Sequence, residues 1–294
     1  MKRLTTFLSV LCISIVQAQS FDHIVYKQAV CPIYKQVLQK RVFKESIDEL
    51  NAVKKKYGML FGEDYLLMSY CYKEMGSDSL SAIYAKKSCS VPTFDMRTTW
   101  YIADLNYGYI TEGFIERDRK LIDEGFEISS KNYQEKNPDS LVAVIDSMTY
   151  WDQFYLNQWY ANPDNNAFKH QLDSINSVNE QLLAEMIQKT GFPGEKRLQL
   201  GEFCIWVILV HSAGNEEFYQ RMKPVFLNEV KIGNMSPWMF ANWVDQHQFY
   251  SKLPTIYNTQ VGLKADYTDS ELKIISENRF EIGLVDVEYS LPKF

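Results

Sequence analysis

Three ionisable residues interrupt otherwise apolar segments in the second half of this chain: Asp152, His211 and Asp245. A polar group buried without a hydrogen-bond partner costs free energy, so these residues are expected to have partners or a task. A histidine beside a carboxylate can act in general acid–base chemistry, because imidazole titrates near neutral pH. Two interpretations follow: a hydrolase-like site that uses the three residues as acid–base groups, or polar residues satisfied inside a helical core.

The pattern of residues 141–160 places Asp152 on the apolar side of a helix. At about 100° per residue, Asp152 falls in the middle of a stripe that is predicted to face the core. The stripe comprises Leu141, Ile145, Met148, Trp151, Tyr155, Leu156 and Trp159. Asp152 is then expected to cap another helix or to pair with an arginine such as Arg197 or Arg221. The functional alternative is a carboxylate held in a cleft.

His211 ends the apolar run from Phe203 to Val210 and precedes Ser212. The helix dipole stabilises a histidine at a helix C-terminus, which would explain His211 without any function. Ser212 does not predict a serine hydrolase, since no G-x-S-x-G is present and adjacent helical residues point apart. Zinc bound by His211, His247 and Asp245 lacks the usual ligand spacing, so we predict neither a metal nor a cofactor.

Helical rather than alternating periodicity runs through almost the whole chain, which predicts an all-α fold. Ser236 followed by Pro237 is a typical helix start, with serine as N-cap and proline at the first helical position. The helix that follows is apolar all round and is therefore expected to be buried, together with Asp245. The clearest predicted helices span residues 43–59, 63–75, 78–89, 141–160, 237–252 and 268–281.

The segment from Tyr65 to Ala85 resembles a tetratricopeptide repeat, in which Gly76 would join two closely packed helices. A degenerate neighbouring unit is predicted at residues 33–57. Single units of this kind do not bury a full face, so this one is expected to stack on further helices. Pro138 disfavours helix before it and marks a domain boundary. We predict a signal peptide at residues 1–18, tetratricopeptide-like helical hairpins at 19–137 and a compact multi-helix domain at 138–294.

Lys2, Arg3 and the apolar run Leu4–Val16 are typical of a secretory signal, which predicts an exported, periplasmic or extracellular protein. The run is too short for a membrane span, and no later segment is long enough for one. Removing the two basic residues leaves 29 basic against 37 acidic residues, a net charge of −8. This balance argues against nucleic acid and anionic membrane surfaces as partners.

Four cysteines remain after signal cleavage: Cys31, Cys71, Cys89 and Cys204. Export permits oxidation, and Cys71 with Cys89 is the most plausible disulfide because the two lie on successive predicted helices. The alternative interpretation makes each of them a buried small apolar residue. No C-x-x-C occurs, so a redox or zinc site of that kind is not predicted.

From about residue 141 onward the chain resembles a bacterial family known as a domain of unknown function. The family pattern is D-Q on a first helix, then G-W-P, a helix ending in H, D-R on a later helix, and Y-G-T-Q. The matching residues are Asp152, Gln153, Gly191, Phe192, Pro193, His211, Asp245, Gln246, Tyr257, Asn258, Thr259 and Gln260. Three of them depart from the pattern: Phe192 replaces Trp, Gln246 replaces Arg, and Asn258 replaces Gly. The resemblance implies that the polar members form one site, but it implies no reaction.

Together these patterns favour an exported binding or interaction protein with a polar cluster in its C-terminal domain. The partner would be a protein or a small-molecule ligand. The alternative is the hydrolase-like enzyme described above. Both interpretations predict that Asp152, His211, Asp245 and Gln260 cluster in one site. The enzyme in addition needs the first three within hydrogen-bond reach around an open site.

Overall fold

The computed structural model describes residues 21–91, 131, 140–194, 202–259 and 267–285. Within those residues every regular element is a helix and no strand occurs, so the predicted all-α class is confirmed. The helices are α1 (His23–Lys40), α2 (Lys44–Tyr57), α3 (Gly62–Glu74), α4 (Asp78–Ser90), α5 (Ser140–Ala161), α6 (Asn166–Thr190), α7 (Glu202–Ser212), α8 (Glu216–Lys231), α9 (Pro237–Tyr250) and α10 (Asp269–Glu281). None of these helices is long and apolar enough to cross a bilayer. The signal segment, Arg197 and Gln260 lie outside the described residues.

Local capping chemistry sets the helix ends where the sequence predicts them. Ser236 is the N-cap of α9, and its hydroxyl accepts a hydrogen bond from the amide of Met239 at 3.1 Å. Thr268 and Glu271 form a reciprocal capping box at the start of α10. Gly76 adopts φ 73° in the turn between α3 and α4, a left-handed conformation that glycine adopts without strain.

Buried apolar residues form two clusters. One is built from α1, α2 and α3, and includes Tyr26, Leu50 and Leu67. The other is built from α5 to α9 and the loops between them, together with Ile282 just after α10, and includes Trp243. Helix α1 also contacts the second group of helices, because the His23 Nδ1 atom lies 3.2 Å from the carbonyl oxygen of Val230. The division of the chain near residue 138 stays a prediction.

Helices α3 and α4 pack closely because small residues meet between them. Ser69, Ser81 and Ala85 are all fully buried. The Ser69 hydroxyl donates to the carbonyl oxygen of Ser81 at 2.7 Å, which satisfies a polar group that has no access to water. The two helices and their glycine turn match the predicted bounds, while the tetratricopeptide resemblance itself stays a prediction.

Cys71 is a free thiol that is wholly buried in the first cluster, so the proposed disulfide with Cys89 is not formed at this residue. The physical reason is packing: the side chain points into the apolar core and behaves there as a small apolar residue. Cys31, on α1, is also free and buried. Burial raises the pKa of the Cys31 thiol and of the Cys71 thiol to about 12.

These thiols predict a loss of stability at alkaline pH. In the unfolded chain a thiol ionises near pH 8.5, whereas the folded protein keeps Cys71 protonated to about pH 12. The stability that this thiol contributes is thus full below pH 8.5 and declines as the pH rises towards 12. In the wild type this thiol should make the free energy of unfolding fall by up to about 1.4 kcal/mol for each pH unit in this window. We expect the fall to be smaller by that amount in Cys71→Ala.

The measurement is urea unfolding at pH 8 and at pH 10 under reducing conditions. Leu67→Ala is the matched control, because Leu67 is equally buried in the same helix but carries no titrating group. That control should lower stability at both pH values without changing the slope. A Cys71→Ala slope equal to that of the wild type would contradict the prediction.

Candidate functional site

Asp152 and His211 form a direct pair between two helices. Asp152 lies on α5 and is fully buried, while His211 lies at the C-terminal end of α7 with 19 % of its side chain exposed. The His211 Nδ1 atom is 2.7 Å from Asp152 Oδ1. A deeply buried carboxylate therefore holds an imidazole that reaches the surface.

Gln153 completes the surroundings of the Asp152 carboxylate. Its Nε2 donates to Asp152 Oδ2 at 2.7 Å, so each carboxylate oxygen has one partner. When the imidazole is neutral, a proton on His211 Nδ1 donates to Asp152, and Nε2 is then left as an acceptor. No hydrogen-bond partner of Nε2 is found among the described residues. The pair thus presents one oriented nitrogen for a further molecule.

The arginine partners considered for Asp152 do not supply its interaction in the described part of the chain. Arg221 lies on α8, where its guanidinium is 5.5 Å from the centroid of the Phe218 ring. The carboxylate is compensated instead by His211, which is 59 positions away in sequence. A histidine and an amide suffice for Asp152 because each of its oxygens accepts one short hydrogen bond.

The aromatic stripe of α5 is much more exposed than its spacing predicts. Ile145 and Met148 are buried, but Trp151 is 44 % exposed, so the prediction that this residue belongs to the core is wrong. Neighbouring rings along α5 cover one another instead: Trp151 lies 5.1 Å from Tyr150 and 6.1 Å from Tyr155 between ring centroids. We call Tyr150, Trp151, Phe154 and Tyr155 the α5 aromatic face.

Asp245 has a different role, because its carboxylate is fully engaged by a loop. Oδ1 accepts the backbone amides of Ile256 and Tyr257 at 2.8 and 2.9 Å. Oδ2 accepts the backbone amide and the hydroxyl of Thr259 at 2.7 and 2.8 Å. With 1 % of its surface exposed, Asp245 has the geometry of a structural anchor rather than of an acid–base group.

The same loop is fixed from a second side by α10. The Arg279 guanidinium is buried and donates to the carbonyl oxygens of Tyr257 and Val285, at 2.7 Å in both cases. Asn258 adopts φ 53°, a left-handed conformation that asparagine tolerates in place of the glycine of the family pattern. Burial, together with the charge of Asp245, raises the pKa of the Tyr257 hydroxyl.

The remaining candidates do not join the His211 pair. Gln246 is half-buried on α9, and its side chain forms no hydrogen bond to another described side chain. His247 is a satisfied core histidine, with Nδ1 2.9 Å from the carbonyl oxygen of Ala213 and its ring stacked on Tyr219. The Ser212 hydroxyl donates to Leu209 at 2.9 Å.

The polar candidates that the structure describes therefore form two hydrogen-bonded groups. One contains Asp152, Gln153 and His211, and the other contains Asp245 with Tyr257 and Thr259. No hydrogen bond between described residues joins the two groups. In the same part of the chain, no three His, Cys, Asp or Glu side chains are grouped as metal ligands.

A third buried polar group was not predicted from the sequence. Asp64, on α3, is fully buried and accepts the hydroxyl of Tyr26 at 2.5 Å and that of Tyr34 at 3.2 Å. Next to it, the Lys27 ammonium pairs with Glu63. One feature of the sequence could have indicated that Asp64 is buried: it directly precedes the apolar run that starts at Tyr65. This feature is weak, because acidic residues are common in the first turn of any helix.

Comparisons of the chain with protein-family models, curated proteins and solved structures find no match. The resemblance to the bacterial family of unknown function therefore stays a prediction.

Proposed function

We propose that this chain is an exported helical binding protein whose C-terminal helices hold the polar group of a ligand at His211. The observation that carries this proposal is the 2.7 Å contact between the buried Asp152 and the partly exposed His211. A buried carboxylate is costly to maintain, and here it fixes the orientation of a side chain that reaches the surface. Such an arrangement suits recognition, because the imidazole is already oriented before a ligand arrives.

The chemistry of the pair indicates which ligand group it would accept. With Nδ1 donating to Asp152, the neutral imidazole offers Nε2 as a hydrogen-bond acceptor. A hydroxyl or an N–H of the ligand is the matching donor. Helix α5 contains no lysine or arginine to attract an anion, so an uncharged ligand fits this surface best.

The α5 aromatic face supports the same proposal from the apolar side. Tyr150, Trp151 and Phe154 are 60 %, 44 % and 38 % exposed. Aromatic side chains contribute large contact areas and lose little conformational entropy on binding, which is why tyrosine and tryptophan are frequent at binding surfaces. Because Tyr155 lies three positions after Asp152, on the same side of α5, a ligand that stacks on this end of the aromatic face would lie near the Asp152–His211 pair.

The hydrolase-like alternative rests on the same imidazole. His211 could accept a proton from a water molecule while Asp152 stabilises the imidazolium that forms. Two observations weigh against it: Asp245 is engaged by four donors, and the Ser212 hydroxyl is bonded to Leu209. Binding therefore remains the first proposal.

The two proposals are separated by a matched pair of histidine variants. The ligands to test are small fragments that carry a hydroxyl or amide donor, with binding detected by NMR. We expect His211→Ala to weaken their binding by about tenfold or more, because one hydrogen bond to the ligand is lost. His170→Ala is the control, because His170 is exposed on α6. Fragments whose affinity is the same in His211→Ala and wild type would contradict a binding role for this residue.

Imidazole ¹⁵N NMR tests the underlying geometry without a ligand. We expect the Nδ1-protonated tautomer of His211 in the wild type and its loss in Asp152→Asn, since the amide can present a donor instead of an acceptor. Assays with chromogenic ester and amide substrates test the hydrolase-like alternative. Hydrolysis that is lost in His211→Ala and kept in His170→Ala would favour the enzyme.

A further inference from the structure

Two lysines from different helices converge on one tyrosine ring in the N-terminal part of the structure. The Lys54 ammonium, from α2, lies 5.9 Å from the centroid of the Tyr65 ring, and the Lys87 ammonium, from α4, lies 4.8 Å from it. Tyr65 itself is buried on α3, between these two helices in sequence. Three consecutive helices thus bring two positive charges to the same place.

Neither ammonium is neutralised by a carboxylate in the described part of the chain. Other half-buried or exposed lysines do have such partners there, for example Lys27 with Glu63 and Lys73 with Asp78. The chain contains 37 acidic and 31 basic residues, so acidic side chains are not scarce. Two adjacent cations left without an anion are therefore unexpected in this protein.

Two common interactions explain the position of each lysine by itself, but they do not explain why the two ammonium groups lie close together. Both lie in the last turn of their helices, where a cation interacts favourably with the helix dipole. An ammonium over an aromatic face also gains a cation–π attraction. Bringing a second ammonium to the same ring adds repulsion, which neither effect requires.

The protonation behaviour of Lys87 reflects this repulsion. Burial lowers the pKa of its ammonium, and the positive charge of Lys54 lowers it further. An anion placed between the two side chains would remove the repulsion and favour both charged forms.

We propose that Lys54 and Lys87 form a binding site for a phosphate group, with the Tyr65 ring as its floor. A phosphate group carries more than one negative charge at neutral pH and offers several acceptor oxygens, which matches two convergent ammonium groups. The group could be free phosphate or the phosphate ester of a larger ligand. The site does not depend on His211 and stands apart from the function proposed above.

The test is a titration of the full chain with inorganic phosphate at pH 7 and constant ionic strength, with sodium chloride as the reference salt. Lysine side-chain ¹H–¹³C NMR reports which ammonium groups respond. We expect the Lys54 and Lys87 signals to shift saturably with phosphate. An absence of phosphate-specific shifts at these two residues would overturn the proposal.

Charge-matched variants distinguish a specific phosphate site from general electrostatic attraction of phosphate to any lysine. Lys54→Gln and Lys87→Gln should each weaken phosphate binding by about fivefold or more, whereas Lys87→Arg should retain it. Lys55→Gln is the control, because Lys55 is exposed on the same helix as Lys54 and its loss changes the net charge equally. If Lys55→Gln weakens binding as much as Lys54→Gln, the proposed site is wrong.

Phenyl phosphate identifies the source of the bound group. Tighter binding of phenyl phosphate than of inorganic phosphate, lost in Lys54→Gln, supports the site and assigns it to a phosphate ester. Equal binding of both, with the same dependence on Lys54, supports the site and assigns it to free phosphate. Phenyl phosphate binding that is independent of Lys54 and Lys87 would count against it.

Discussion

Replacing Asp245 with alanine is expected to lower the free energy of unfolding by about 4 kcal/mol, because four hydrogen-bond donors would lose their acceptor. Three of the donors are backbone amides of the loop that holds Ile256, Tyr257 and Thr259, and the fourth is the Thr259 hydroxyl. A buried donor without a partner costs about 1–3 kcal/mol, and water that enters the space left by the carboxylate offsets part of the total.

Urea unfolding of Asp245→Ala beside two further variants checks this expectation. Thr259→Val removes one donor and keeps the carboxylate, so its cost should be about 1 kcal/mol. Asp173→Ala removes an exposed aspartate from α6 and should change stability by less than about 0.5 kcal/mol. An Asp245→Ala protein as stable as Asp173→Ala would show that the loop does not depend on the carboxylate.

Asp64→Ala is expected to have the second-largest effect, a loss of about 3 kcal/mol, because it removes the acceptor of three buried donors. These donors are the hydroxyls of Tyr26 and Tyr34, at 2.5 and 3.2 Å, and the amide of Phe61, at 3.2 Å. Asp64 is fully buried, so solvent does not replace the lost interactions without a rearrangement of α1 and α3.

A double-mutant cycle isolates the hydrogen bond between Asp64 and Tyr26. We expect Tyr26→Phe to cost less in the Asp64→Ala background than in the wild type, with a coupling energy of about 1–2 kcal/mol. Asp48→Ala is the matched control, because Asp48 is an exposed aspartate on α2. Additive losses within about 0.5 kcal/mol would mean that the two side chains contribute independently.

These two aspartates show how several hydrogen-bond donors can satisfy a buried carboxylate. Asp245 accepts mainly backbone amides, whereas Asp64 accepts two phenol hydroxyls and one amide. In both cases the cost of burial is offset by several short hydrogen bonds. Asp152 differs, since one of its two partners is a titratable imidazole with access to the surface. Of the three carboxylates, only Asp152 therefore acts on a side chain that a ligand can reach.

The sequence by itself determined the helices and many of their ends. The start of α9 at Pro237 and the turn at Gly76 follow from contacts within four residues along the chain. The sequence also predicted that Asp152 and Asp245 lie inside protein, because helical spacing places each among apolar neighbours. Helix α1 was not predicted before residue 33, where Pro32 within the helix obscures the pattern.

Only the tertiary structure decided what those buried carboxylates bind. His211 and Asp152 are 59 positions apart, and the donors to Asp245 belong to a loop whose path depends on α9 and α10. The packing of α5 likewise decided that Trp151 is exposed, although its spacing suits a core residue. The physical reason is the sequence distance over which each interaction acts. Helix propensity and capping act between residues that are close in sequence. The hydrogen-bond partner and the exposure of a side chain depend instead on which helices pack together.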